Sequence, residues 1–204
     1  MEEKISFLSD GHEIEGRLEK SSLQKGVVIT HPHPLYGGDM HNNVVAAIAR
    51  VYRQKGYTTL RFNFRGVGNS QGSYGDGLGE QEDVRAAISY LADMSISQID
   101  LAGHSFGAWV NALSIINEPQ LANMIMVSPP LAFIDFGSIS GLSSLRLIVT
   151  GSRDDIAPPD LIRTSYAGWN AEAKFEVING ADHFYAGYLD KLEAILAVYL
   201  EDRD

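Results

Sequence analysis

The sequence predicts an α/β fold built on an open, doubly wound, mostly parallel sheet, and three features carry that reading. Short continuous apolar runs recur along the chain, helically spaced apolar residues lie between them, and glycine-rich turns follow several of the runs. Continuous apolar runs suit strands buried on both faces, as in a parallel sheet covered by helices. Alternation of strand with helix is the pattern of such sheets.

The elements follow in order. Ile5–Ser9 and His12–Glu19, separated by Asp10-Gly11, read as an antiparallel hairpin with an Asp-Gly turn. From Val27 the rhythm changes, and apolar runs fall at Val27–Thr30, Thr59–Phe64, Ile99–Ala102, Met124–Val127, Leu145–Thr150 and Phe175–Ile178. Val84, Ala87, Ile88 and Leu91 stand at i, i+3, i+4 and i+7, and Leu189, Leu192, Leu196 and Tyr199 mark a second helical stripe. No repeat, low-complexity segment or linker divides residues 1–204, so one domain is expected. In open α/β sheets ligands bind beyond the carboxyl ends of the strands, so the turns leaving each strand are where chemistry is sought.

Composition excludes several classes of function. With 204 residues, 45% of them hydrophobic, the chain supports one sizeable core. There is no cysteine, which removes disulfides and a thiolate nucleophile. The net charge of −10, with sixteen scattered basic residues, argues against nucleic acid or an anionic membrane as partner. No apolar stretch is long enough to span a bilayer and no signal peptide opens the chain, so a cytoplasmic location is expected. A homo-oligomer is left open.

The turn after Ile99–Ala102 reads Gly103-His104-Ser105-Phe106-Gly107. Gly-x-Ser-x-Gly between a buried strand and a helix is the context in which a serine is held on a sharp turn above the sheet, at the positive end of a helix. Ser105 is therefore the candidate nucleophile. A serine hydroxyl needs a base, and the base needs an orienting carboxylate. Where a nucleophile sits on such a turn the chain order is Ser, acid, His, and of six histidines only His183 follows Ser105. The acid belongs in the turn after Leu145–Thr150, where Asp154 and Asp155 both qualify. A tetrahedral intermediate also needs donors for its oxyanion. The N–H of Phe106 is one. The second is expected from the turn His31-Pro32-His33-Pro34-Leu35-Tyr36-Gly37-Gly38, where the prolines have no N–H and His33, Leu35 and Tyr36 remain.

Two other readings of these loops are weaker. His31-Pro32-His33 with Asp39 and His41 invites a metal, but flanking prolines stiffen the loop and a serine triad has no use for one. The cluster Arg65-Gly66-Val67-Gly68-Asn69-Ser70-Gln71-Gly72 looks like a dinucleotide turn, yet Ser73–Gly79 prolongs it before any helix begins. These glycines are better read as a compact loop beside the active site. No metal and no cofactor are expected.

Together these residues resemble the α/β-hydrolase superfamily, and within it a small, single-domain bacterial branch related to dienelactone hydrolases and carboxylesterases. The segments that carry the resemblance are His31–Gly38, Phe62–Ser70, Gly77–Asp83, Gly103–Gly107, Gly151–Pro158 and Asp182-His183-Phe184. The resemblance implies an eight-stranded, mostly parallel sheet with the hairpin at one edge and helices on both faces. It selects Asp154, because acid loops of this superfamily commonly read Gly-x-x-Asp with a proline four residues on. It points to Leu35 as the second oxyanion donor. Dienelactone hydrolases use cysteine where this chain has Ser105, so lactone specificity does not carry over. The implied activity is hydrolysis of a small-molecule ester through an acyl-enzyme. The same triad would also serve a thioesterase, an amidase or an acyltransferase, and a hydrolase fold with vestigial activity would serve as a binding module. Only Ser128–Ser144 stands where larger relatives insert a lid, so a shallow, open pocket and short acyl groups are expected.

Overall fold

Period-two alternation along each strand sends neighbouring side chains to opposite faces, and here both faces are buried. Val28, Leu101, Met126 and Ile148 enter one apolar core, while Val27, Ile29, Ala102, Ile125 and Val149 enter another. The computed structural model describes residues 1–115 and 121–201. β1 (Glu3–Ser9) and β2 (His12–Glu19) form the antiparallel hairpin, Glu3 opposite Leu18 and Ser9 opposite His12. Its turn places Asp10 and Gly11 at φ 48° and 79°, the left-handed pair that a tight hairpin requires.

β2 runs antiparallel to β4 (Thr58–Phe62). Every later junction is parallel and joins β3 (Lys25–Thr30), β5 (Gln98–His104), β6 (Leu121–Val127), β7 (Leu145–Gly151) and β8 (Lys174–Ile178). The eight strands lie in the order β1-β2-β4-β3-β5-β6-β7-β8. This is the α/β-hydrolase arrangement that the resemblance implies. α1 (Asn43–Gln54) and α5 (Leu189–Glu201) cover one face. α2 (Leu78–Asp93), α3 (Phe106–Ser114) and α4 (Pro159–Asn170) cover the other.

One strand is shorter than its apolar run. β4 stops at Phe62 because the ladder loses its partners there: Asn63 still donates to the carbonyl of Glu15 on β2, but the Glu15 N–H turns to Ser70 Oγ at 3.1 Å and the Phe64 N–H to His31 Nε2 at 3.0 Å. The segment 128–144 contains turns and no helix, with Phe136, Ile139 and Leu142 tucked into the core and the Phe136 ring 5.2 Å from that of Trp169. Among the described residues no helix is long and apolar enough to cross a membrane. Because β3, β5, β6, β7 and β8 run parallel, the loops leaving them gather at one edge of the sheet.

Candidate active site

The turn between β5 and α3 is as sharp as the glycines imply. Ser105 adopts φ 56° and ψ −120°, a conformation that costs a non-glycine residue about 1–3 kcal/mol. A Cβ on Gly103 would lie 2.6 Å from the Ala108 nitrogen, and one on Gly107 would lie 2.8 Å from the His31 carbonyl oxygen. Only glycine lets the turn close and lets the β3 loop pass this near.

The strands bring Ser105, His183 and Asp154 together. The Ser105 hydroxyl donates to His183 Nε2 at 2.9 Å, and His183 Nδ1–H lies 3.0 Å from both carboxylate oxygens of Asp154. Asp154 Oδ1 also accepts the N–H groups of Ile156 (3.0 Å) and Ala157 (2.7 Å), which fix the carboxylate in its loop. Burial pushes this carboxyl up, but the hydrogen bond and charge of His183, with help from Ser128 and the Ala157 N–H, hold it below the usual carboxylate range. Asp155, the other sequence candidate, is exposed.

Three further residues brace this chain. His104 is fully buried and donates Nε2–H to the His183 carbonyl at 3.1 Å, with the two rings 5.1 Å apart. Burial drives its pKa down to about 3, so it serves as a neutral support. Ser128, at the end of β6, and Tyr185 hydrogen-bond through their hydroxyls at 2.8 Å beneath Asp154, and both hold positive φ, 50° and 55°. Neither was singled out from the sequence. The available signals were a serine directly following a β-strand run and a tyrosine two places after the base.

The β3 loop settles the fate of each N–H that the sequence left open. After His33 comes a single 3₁₀ turn, Pro34–Tyr36. Leu35 donates to His33 Nδ1 at 3.2 Å, Tyr36 and Gly38 both donate to the His33 carbonyl, and Gly37 donates to the Pro34 carbonyl. Leu35, favoured by the resemblance, is therefore not brought to the site. Its N–H is committed inside its own loop and its side chain is 67% exposed. Among the described residues the His33 N–H makes no hydrogen bond, and the His33 ring lies 4.8 Å from that of Phe106. Phe106 is the first residue of α3, where an N–H has no intrahelical acceptor.

Two of the three histidines of the metal reading, His31 and His33, are each committed within the protein. His31 donates Nδ1–H to the Pro32 carbonyl at 2.7 Å and accepts the Phe64 N–H at Nε2, and burial lowers its pKa to about 4. His33 accepts the Leu35 N–H and contacts the Tyr74 hydroxyl at 3.1 Å.

Ser105 and His183 open onto a cavity of about 560 Å³. Its walls are Pro130, Phe133 and Ile134 from the segment after β6, Ile156 and Phe184 beside the acid and base, and His33, Tyr36 and Asn42 across from them. Among the described residues no Lys or Arg lines it. Tyr36, Phe133 and Phe184 stand exposed at its rim. A hydroxyl hydrogen-bonded to an imidazole at the mouth of an apolar cleft is an arrangement suited to acyl transfer.

Comparison with known proteins agrees with this geometry. A sequence model of the alpha/beta hydrolase family matches residues 27–203. An uncharacterized protein of Rickettsia prowazekii is 32% identical over 209 residues, covering 97% of this chain and 88% of its own. Among solved structures, an alpha-beta serine hydrolase homologue from Coxiella burnetii superposes with a TM-score of 0.89 at 34% identity, over 97% of each chain. A serine hydrolase without a lid from Xanthomonas campestris gives a TM-score of 0.89 at 27% identity, over 98% of this chain and 94% of that one.

Proposed function

The chain belongs to the alpha/beta hydrolase family, and from that premise we propose that it hydrolyses short-acyl carboxylic esters through a covalent acyl-enzyme on Ser105. The observation that carries the reading is the unbroken hydrogen-bonded chain from Ser105 Oγ through His183 to Asp154. Ser105 Oγ attacks the ester carbonyl as His183 Nε2 takes its proton, and Asp154 stabilises the imidazolium that results. The carbonyl oxygen becomes an oxyanion held by the N–H groups of Phe106 and His33. Each such donor is worth about 3–4 kcal/mol of transition-state stabilisation. His183 then protonates the departing alkoxide. In the second half-reaction it draws a proton from water, whose oxygen attacks the acyl-enzyme carbonyl, and it returns that proton to Ser105 Oγ as the acyl–oxygen bond breaks and the acid leaves.

The substrate is read from the walls. The cavity offers apolar contact and no cation, which suits a neutral ester. The turns of residues 128–144 line one side of it without roofing it, which favours short acyl chains. A fluorophosphonate probe should label the wild-type protein at Ser105, and Ser105→Ala should lose both labelling and hydrolysis of p-nitrophenyl esters while remaining folded. Labelling at another serine, or rising kcat/KM toward long-chain emulsified triglycerides, would overturn the assignment or the chain-length preference respectively.

A further inference from the structure

We propose that the His33 imidazole, braced by Tyr74, is a positioning group that aims the oxyanion-binding N–H of its own residue. The proposal rests on the functional reading above and concerns what holds one half of that site in place. His33 Nδ1 accepts the Leu35 N–H at 3.2 Å, so Nδ1 carries no proton. The neutral ring then bears its proton on Nε2, which faces the Tyr74 hydroxyl at 3.1 Å and donates to it. One side chain thus ties the backbone two residues ahead of it to a tyrosine on a separate loop. Among the described residues, the main chain between these ties, from the His33 nitrogen to Leu35, includes an N–H that makes no hydrogen bond.

The glycine-rich loop after β4 supplies the other end of the brace. Gly66, at φ 77°, lets the chain double back so closely that a Cβ there would lie 3.0 Å from Ser73 Cα. Buried Glu80 accepts the N–H groups of Gly75 and Gly77, each at 2.9 Å, and so fixes the far side of the bend. Arg65 and Asp83 form a buried ion pair at 2.9 Å that anchors the start of the loop to α2. The loop delivers Tyr74 across the β3 turn, where its ring lies 5.1 Å from that of His33 and 5.9 Å from that of Phe106. The groups facing the imidazole are Tyr74, Tyr36 and Phe106 by ring contact and Asp76 and Glu80 by charge. The glycines that resemble a nucleotide turn therefore shape a strut for the oxyanion loop.

An acceptor on the side chain of residue 33 is the essential part, and this separates two substitutions that both remove the ring. His33→Asn keeps an oxygen able to accept the N–H two residues on, as Asn does in turns. His33→Ala keeps none. We expect His33→Ala to lose about 100-fold in kcat, the lower end of the cost of removing an oxyanion donor. His33→Asn should stay within about tenfold of wild type and share with His33→Ala whatever change in KM follows from losing the ring. Tyr74→Phe should lower kcat about fivefold, as for one hydrogen bond, and should have no further effect when added to His33→Asn. The inhibition constant of an aryl trifluoromethyl ketone, which forms an oxyanionic adduct on the serine, should rise across these variants in step with the fall in kcat/KM. Equal losses in His33→Ala and His33→Asn, or ketone affinity that does not follow kcat/KM, would overturn the positioning role alone. A wild-type protein that neither hydrolyses esters nor takes a fluorophosphonate on Ser105 would overturn the functional reading and this inference with it.

Discussion

The loops after β5, β7 and β8 build their half of the site from side chains, whereas the loop after β3 builds its half from backbone. In the first half a hydroxyl, an imidazole and a carboxylate meet across three separate elements, with His104, Ser128 and Tyr185 packed beneath them. In the second half the atom we propose to act is an N–H, and the loop's side chains hold the turn around it. The difference predicts different sensitivities. Substitution in the first half removes a reacting group, while substitution in the second acts through the shape of a turn.

The sharpest test lies in the acid loop. Asp154 accepts from His183 Nδ1, and losing such a carboxylate in a serine protease costs about 10⁴ in kcat because the base takes the wrong tautomer. We expect Asp154→Asn to lose activity on that scale. Asp155 is exposed one residue away, and Asp155→Asn should change kcat by less than about tenfold. Steady-state kinetics on one p-nitrophenyl ester checks both. Equal losses would mean that the whole loop, and not one carboxylate, is what the first half depends on.

Buried neutral histidines occur in both halves and provide a second test. His31 braces the β3 loop and His104 braces the base, with pKa values lowered by burial to about 4 and about 3. As pH falls below the ordinary histidine value, the unfolded chain binds protons that the folded chain refuses. Stability is then complete above that value and drains away as pH falls toward the folded values. Two such groups remove roughly 4 kcal/mol between pH 7 and pH 5. Asp154, held low, adds a separate loss only below the usual carboxylate range. Urea unfolding measured at pH 7, 6 and 5 should show this slope, and His31→Gln should remove about half of it. An unfolding free energy that stays flat across this range would show that neither ring is held neutral as described.

How far each half was legible in the sequence follows from the same contrast. Ser105, His183 and Asp154 are recognisable because their chemistry resides in residue type, and chain order with strand–turn–helix context narrows the choice. The sheet was legible for a similar reason, since successive residues of a doubly covered strand must be apolar on both faces. The second oxyanion donor that we propose was not. Every non-proline residue carries an N–H, and choosing among His33, Leu35 and Tyr36 requires knowing which are already bonded within the turn. The resemblance pointed to Leu35, and the 3₁₀ turn at Pro34–Tyr36 turns that N–H inward. The end of β4 was missed likewise: Asn63 and Phe64 look like strand, and only the acceptors at Ser70 and His31 draw the Glu15 and Phe64 N–H groups away from the ladder.

The smallest expected effect compares the two halves at the rim. Tyr36 stands on the β3 turn and Phe184 beside the base, at 88% and 64% exposure, and both line the mouth of the cavity. The Tyr36 N–H is bonded to the His33 carbonyl and that of Phe184 to Asp182 Oδ1, so neither backbone depends on its ring. Each ring can contribute only contact with the parts of the substrate that do not react. Contact of that kind is the same in ground state and transition state, and its loss raises KM while leaving kcat in place. Truncating either ring to alanine should therefore raise KM about three- to tenfold for an aryl ester, the scale of a partly exposed apolar contact. Tyr36→Phe, which keeps the ring, should behave as wild type. A fall in kcat for Tyr36→Ala with kcat preserved in Phe184→Ala would show that the Tyr36 ring, packed 4.9 Å from His33, helps to aim the turn. The brace on the oxyanion loop would then have a second arm. A fall in kcat for Phe184→Ala alone, where the ring meets His183 edge-on at 5.6 Å, would instead place a constraint on the base.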